Sequence, residues 1–394
     1  MGEVVIVGGG LGALRTAESL RSAGHSGPIT VVGDELFPPY NRPPLSKDAL
    51  LDGIDMARLE FRRRPSVDDV TWRLGRRVVA ADLSSGTITL DDGTLLKADG
   101  LVVASGIRPR RLPLAGPAEG RFALRTAADA EQIRSRLTPG SHVLIMGAGF
   151  IGCEVAATAR RLGCEVTVVA LDDEPMIRPL GAQVGAAMRR RHEREGVRFR
   201  LGHTIDSFHG DEQVRSASLS DGSELPADVV VEAVGSVTNT EWLDGNALDL
   251  SDGVLVDSAM RIVGSAMPAV AVGDVARHPN ALFGNVPYRV EHWSIPTETG
   301  RRAGRTLAAQ LSGDDPDTGP FTALPSFWSD QYDISLQSFG MPGLATRLEV
   351  VDGSLDEPCI IEYRDDDGLV GVVGIDRTSD LTGYRTRLQD RAIV

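Results

Sequence analysis

Two glycine runs carry the chemistry most directly readable in this chain. Gly8-Gly9-Gly10-Leu11-Gly12-Ala13 follows the apolar run Val4-Val5-Ile6-Val7, and Gly147-Ala148-Gly149-Phe150-Ile151-Gly152 follows Val143-Leu144-Ile145-Met146. After a strand and before a helix, such a run is a dinucleotide-binding fingerprint. Gly8 and Gly147 are placed to make the tight turn. Gly10 and Gly149 let backbone approach a pyrophosphate, and Ala13 and Gly152 keep the helix close to the sheet. The diphosphate then rests on a helix N-terminus, where free N–H groups and the helix dipole favour negative charge. Two well-separated copies predict two nucleotides on one polypeptide, and the economical pairing is a flavin reduced by a nicotinamide.

Other residues fall where such a pair needs them. The run Ile29-Thr30-Val31-Val32 ends in Gly33-Asp34-Glu35, about 20 residues past the first fingerprint, where a carboxylate accepts hydrogen bonds from the adenosine ribose. In Arg42-Pro43-Pro44-Leu45-Ser46-Lys47, two prolines stiffen the backbone that carries Arg42 and Lys47. Asp274 follows the apolar run Val270-Ala271-Val272 and Gly273; an unpaired carboxylate there is costly, so it is expected to accept from sugar hydroxyls. The three cysteines, Cys153, Cys164 and Cys359, have neither redox-pair nor metal-ligand spacing. Disulfide reduction is thereby excluded, and the thiols are expected in the core.

The elements that must position these groups read as two repeats of one pattern. Strands are expected at 3–7, 29–33, 87–90 and 100–104 with a helix over 11–24, then at 142–146, 165–169, 197–201 and 228–234 with helices over 150–163 and 181–195. Alternation of this kind predicts parallel, doubly wound sheets. Arg108-Pro109-Arg110-Arg111-Leu112-Pro113 is the expected crossover, and the stretch from Ser312 to Pro320 is linker-like. From about Phe321 short alternating runs and turn signals predict a smaller α+β region. The fold class is therefore α/β, with two Rossmann-like dinucleotide-binding domains and a small C-terminal α+β domain. At 394 residues, 42% of them hydrophobic, the chain suits two or three domains. No run reaches the roughly 18 apolar residues needed to cross a bilayer. The first strand begins too early for a leader peptide, so a cytoplasmic protein is expected. A net charge of −14 argues against nucleic acid as a partner. Lysine occurs only at Lys47 and Lys97.

On these residues the sequence resembles the FAD-dependent, NADH-using ferredoxin reductases that feed cytochrome P450s and Rieske-type dioxygenases, within the apoptosis-inducing-factor superfamily. The resemblance rests on both fingerprints, Arg42-Pro43-Pro44-Leu45-Ser46-Lys47, Val103-Ala104-Ser105-Gly106, Val272-Gly273-Asp274, Glu291-His292-Trp293 and Phe327-Trp328-Ser329-Asp330-Gln331-Tyr332-Asp333, and it spans nearly the full length. It implies an FAD domain of residues 1–111 plus 241–318, an NAD(P) domain of 112–240 and a C-terminal domain of 319–394. It implies that Gly12, Asp34, Lys47, Val78, Arg125, Asp274 and Trp293 contact FAD. Arg178, Gly235, Glu291 and His292 join the cofactor-binding set with Glu35 and Arg42. Lys47 and Glu154 are expected to meet beside the flavin, placing positive charge there, and Trp328 is expected at the flavin edge.

The resemblance further implies electron transfer from the nicotinamide through FAD to a small [2Fe–2S] ferredoxin. Because ferredoxins are usually acidic, docking is expected at Arg301, Arg302 and Arg305, with Arg62, Arg63 and Arg64 as a second cluster; the protein itself is expected to be a monomer or weak dimer. Where the family usually carries a glutamate that selects NADH, this chain has Ala170, followed by Leu171-Asp172-Asp173-Glu174. NADH is the expected donor, since the following acids disfavour a 2′-phosphate, with NADPH left open. The alternative functions are a flavin oxidase or quinone reductase without a protein partner, and a redox-sensing protein like apoptosis-inducing factor.

Overall fold

The computed structural model describes residues 2–390. Its first sheet is five-stranded and wholly parallel, in the order Ala269–Ala271, Gly100–Val103, Val4–Val7, Ile29–Gly33 and Thr71–Leu74. The central strands Val4–Val7 and Ile29–Gly33 are unbroken runs rich in β-branched residues because both faces of the sheet are covered. Their core is shared with helices Leu11–Ser22 and Ile295–Ser312 and with Val78, Ile88, Leu90 and Leu96 of a small antiparallel sheet; Val4, Val5 and Ile6 are fully buried. A second parallel sheet runs Arg198–Leu201, Glu165–Ala170, His142–Met146, Val229–Glu232 and Arg121–Phe122. Where the chain passes between the two, Ile107–Pro109 pairs antiparallel with Ser236–Thr238.

A third sheet, antiparallel, follows from Ser326. Its order is Ser326–Gln331, Ile334–Gly340, Gly368–Ile375, Cys359–Asp365 and Arg347–Asp352, and a helix over Thr382–Gln389 packs with it. The α/β class with a small C-terminal α+β unit is thus the observed architecture. The segment 87–90 departs from expectation: Thr87–Leu90 lies in a three-stranded antiparallel sheet with Val78–Asp82 and Leu95–Lys97. The parallel sheet takes Thr71–Leu74 as its edge strand instead.

The nucleotide helices run over Leu11–Ser22 and Phe150–Arg161. Against the first lies an 18-residue helix, Ile295–Ser312, which periodicity did not single out. The two approach closely because Gly304 has no side chain: a Cβ there would lie 2.4 Å from that of Ser19. This contact ties strand Ala269–Ala271 and the turn carrying Asp274 to the first fingerprint. Among the described residues, no helix is long and apolar enough to cross a membrane.

Candidate active site

A cleft of about 460 Å³ opens at the carboxyl ends of the first sheet's strands and is lined by Gly8, Gly10 and Gly12. Gly8 adopts φ 114°, and a Cβ there would sit 2.0 Å from the Ala104 carbonyl oxygen. No other residue fits that turn. Gly10 is the N-cap of helix Leu11–Ser22, which has no side-chain cap and no acid in its first turn. Nothing lies within 4 Å of the place a Gly10 Cβ would take. Uncapped N–H groups facing open space form a cradle for a diphosphate, so the residues present fit FAD.

Around that cradle the carboxylates divide. Asp34 lines the cleft. Glu35 also lines it but is engaged: it accepts from Tyr40 Oη at 2.5 Å and from the Arg42 guanidinium. Arg42 in turn donates to the Arg125 carbonyl at 2.7 Å. Burial pushes the Tyr40 phenol up to about 12, which keeps it a donor. Asp274 sits in the tight turn Gly273–Val275, whose Gly273 N–H donates to Thr299 Oγ1 at 3.0 Å. Its carboxylate accepts from Arg125 Nη2 at 3.0 Å, and both side chains line the cleft.

A buried ion pair lies where the second nucleotide helix reaches the cleft. Lys47 Nζ is 2.8 Å from Glu154 Oε2. Ser46 Oγ donates to the same oxygen, and Ser329 Oγ donates to Oε1 at 2.6 Å. Three segments therefore converge on one carboxylate: the proline-stiffened turn, helix Phe150–Arg161 and strand Ser326–Gln331. Trp328 and Trp293 meet edge to face, with centroids 5.4 Å apart, and Trp293 Nε1 donates to Asn41 Oδ1 at 2.9 Å. His292 packs on Phe327 at 5.0 Å, and burial lowers its pKa to about 4. Glu291, His292, Trp293 and Trp328 all line the cleft.

The second fingerprint repeats the geometry of the first. Gly147 has φ 97°, with Ala233 O 2.3 Å from a would-be Cβ, and Gly149 is an N-cap without a side-chain cap. Of this unit Phe150, Ile151 and Glu154 line the cleft; Gly147, Gly149, Gly152, Arg178 and Gly235 do not. Arg178 is 85% exposed and lies 3.6 Å from Asp172. Val78, expected to contact FAD, lies elsewhere, buried in the hydrophobic core of the first sheet and away from the cleft lining; Ala13 is buried in the same core. For Val78 the reason is its strand, which pairs with Thr87–Leu90.

Arg302 also departs from expectation. It is buried, and its guanidinium binds the Asp317 carboxylate and the carbonyls of Asp317 and Gly319. That side chain pins the linker-like stretch and presents no charge outward, whereas Arg301 and Arg305 are exposed. Sequence reasoning missed Ser46 and Ser329 as partners of Glu154. Both stand inside quoted motifs, and two hydroxyls flanking the Lys47 and Trp328 positions were the available signal. The three cysteines are free and buried.

The model of the pyridine nucleotide-disulphide oxidoreductase family matches residues 2–299, and the reductase C-terminal model matches 326–394, the last four lying outside the described residues. The chain is 37% identical over 360 residues to the ferredoxin–NAD(+) reductase component of the anthranilate 1,2-dioxygenase system of Burkholderia cepacia, covering 89% of this chain and 84% of that one. It is 35% identical to rhodocoxin reductase of Rhodococcus erythropolis, covering 96% and 87% respectively. The putidaredoxin reductase in a solved covalent complex with putidaredoxin superposes with a TM-score of 0.90 at 32% identity, over 99% of this chain and 93% of that one.

Proposed function

The chain belongs to the pyridine nucleotide-disulphide oxidoreductase family, and from that premise we propose that it is an FAD-dependent NADH:ferredoxin reductase serving a P450 or Rieske-type oxygenase. The observation that carries this reading is the placement of the Lys47–Glu154 pair in one cleft with the uncapped helix Leu11–Ser22, while a second uncapped helix, Phe150–Arg161, begins at the cleft's side. Residues 1–111 with 241–318 are assigned to FAD, 112–240 to the nicotinamide and 319–394 to the covering domain. The joining of strand Ala269–Ala271 to the first sheet supports that division. A cytoplasmic location accords with this role.

Bound FAD would supply a hydride acceptor that can release electrons singly. The chain's own part is to bind and orient. The N–H groups at Gly10–Gly12 hold the diphosphate, Asp34 takes the ribose, and Asp274, steadied by Arg125, takes further sugar hydroxyls. Lys47 brings a positive charge toward the reacting ring and Glu154 fixes its position. Trp293, Phe327 and Trp328 keep water from that end. Hydride transfer needs no proton from the protein, and His292, held neutral at pH 7 by burial, offers none.

NADH is assigned over NADPH. Ala170 leaves no carboxylate at the strand end, but Asp172 holds Arg178, and Asp173 and Glu174 follow. Arg189 pairs with Glu174, so these groups carry one negative charge in excess, and a 2′-phosphate would meet it. The expected kcat/KM ratio is about tenfold in favour of NADH, roughly 1.4 kcal/mol; a tenfold preference for NADPH overturns the assignment.

The partner is an acidic [2Fe–2S] ferredoxin, docking at the exposed Arg301 and Arg305. The whole reading is tested by NADH-driven cytochrome c reduction with and without such a ferredoxin. Turnover is expected only with it, and its KM should rise with salt. The pair Arg301→Glu and Arg305→Glu should raise that KM about tenfold while leaving ferricyanide reduction intact. Rapid NADH consumption without ferredoxin would sink the reading; an unchanged KM would sink the docking surface.

A further inference from the structure

Behind Glu154 a row of side chains runs into the protein that hydride transfer does not call on. Ser329 Oγ lies 2.6 Å from Glu154 Oε1, Gln331 Nε2 is 2.9 Å from Ser329 Oγ, Gln331 Oε1 is 2.7 Å from His192 Nε2, and His192 Nδ1 is 3.2 Å from Tyr332 Oη. Glu154, Ser329, Gln331 and His192 are all buried. Their polarity follows from one end. A carboxylate paired with Lys47 only accepts, so Ser329 must donate to it and accept from the Gln331 amide N–H. The Gln331 carbonyl then faces His192, which must carry its proton on Nε2. That leaves Nδ1 to accept from the Tyr332 hydroxyl.

We propose that Ser329, Gln331 and His192 are positioning residues for the Lys47–Glu154 pair, a one-way hydrogen-bond chain that locks the Glu154 carboxylate in orientation and ties it to helix Ala182–Arg194. Each hydrogen bond polarises the next in such a chain, and all of them point at Glu154. Two further observations agree. Burial lowers the His192 pKa to about 4 and raises that of Tyr332, so the ring stays neutral and the phenol stays a donor. Tyr332 also takes φ 59° in the turn between strands Ser326–Gln331 and Ile334–Gly340, a conformation costly for a bulky residue. The turn holds Tyr332 there against His192, ring centroids 5.2 Å apart.

The titratable and charged groups facing this chain are Lys47 from the proline turn, Cys153 beside Glu154, and Glu195 and Arg160 near Tyr332. None of them offers His192 a hydrogen bond, so its tautomer reports the chain alone.

The proposal rests on the reductase reading, and its test has a readout independent of ferredoxin. With ¹⁵N-labelled histidine in the holoenzyme, the His192 ring is expected as the Nε2–H tautomer at neutral pH. In Glu154→Gln, whose amide can donate, and in Ser329→Ala, the polarity is no longer imposed and the Nδ1–H form should appear. Stopped-flow mixing of Ser329→Ala with NADH should show hydride transfer slowed about tenfold with an unchanged Kd for NADH, the size expected for one lost hydrogen bond to a charged group. An Nδ1–H tautomer in the wild type, an identical His192 ring in both variants, or an unaltered hydride rate in Ser329→Ala would overturn the proposal. The wild-type ring measurement needs no variant to fold.

Discussion

Lys47→Met is expected to slow hydride transfer from NADH by about 100-fold and to weaken the fold, while Lys47→Met combined with Glu154→Gln recovers the fold and not the rate. The magnitudes follow from burial. The Lys47 and Glu154 side chains are only 14% and 6% exposed at 2.8 Å separation. Removing one partner of such a pair leaves an uncompensated charge, at a cost of about 3–5 kcal/mol. Ser46 and Ser329 still donate to the carboxylate, so the lower part of that range applies. Neutralising both partners removes the stranded charge, and stability returns. The rate does not return, because loss of one preorganised electrostatic group typically costs about 100-fold or more. Thermal unfolding midpoints and stopped-flow rates for the four proteins of the cycle separate the two effects. A single variant with the wild-type rate would show that Lys47 has no part in the reaction.

The same pair shows how far residue types alone could carry the reading. Lys47 stood out because the chain has one other lysine, Lys97, and Glu154 because it follows a fingerprint. That the two touch depends on how the proline-stiffened turn packs against the second nucleotide helix, and that packing appears in neither segment. Ser329 is 175 residues from Glu154 in sequence. Its role emerges only from the register of strand Ser326–Gln331, in which Ser329 and Gln331 point inward together. The central strands were legible because a sheet buried on both faces demands unbroken apolar runs. Thr71–Leu74 was not, because an edge strand with alternate residues exposed carries little such signal.

Helix Ile295–Ser312 escaped for a different reason. Gly300 and Gly304 weaken its propensity, yet these glycines let it lie against the first nucleotide helix, where a Gly300 Cβ would be 3.1 Å from Gly12 O. Tertiary contact here requires the residues that local preference disfavours. Arg302 carries the converse lesson. In sequence it belongs to an exposed basic cluster with Arg301 and Arg305, but its position on the helix turns it inward to Asp317.

Glycine substitutions give the sharpest separation between holding the fold and holding a nucleotide. Gly8→Ala is expected to yield little folded protein. Its φ of 114° disfavours any side chain, and the Cβ would meet backbone atoms Ala104 O at 2.0 Å and Ala104 C at 2.4 Å, which cannot swing aside. Gly10→Ala differs in kind. Gly10 has φ −92°, and nothing lies within 4 Å of the added methyl. The fold should survive with at most about 1 kcal/mol lost at the N-cap. The methyl does occupy the space through which a diphosphate must approach the helix N-terminus. Losing one charge-assisted contact there costs about 1.5–3 kcal/mol, so FAD affinity should fall by about 10- to 150-fold and the folded protein should lose its yellow colour on dilution or dialysis more readily than the wild type. Gly149→Ala, at the equally open N-cap of the second helix, should instead stay yellow with its Kd for NADH raised by a similar factor. Circular dichroism, flavin content and NADH titration distinguish the three. If Gly149→Ala lost its colour while Gly10→Ala kept it, the assignment of the two glycine turns to their nucleotides would be reversed.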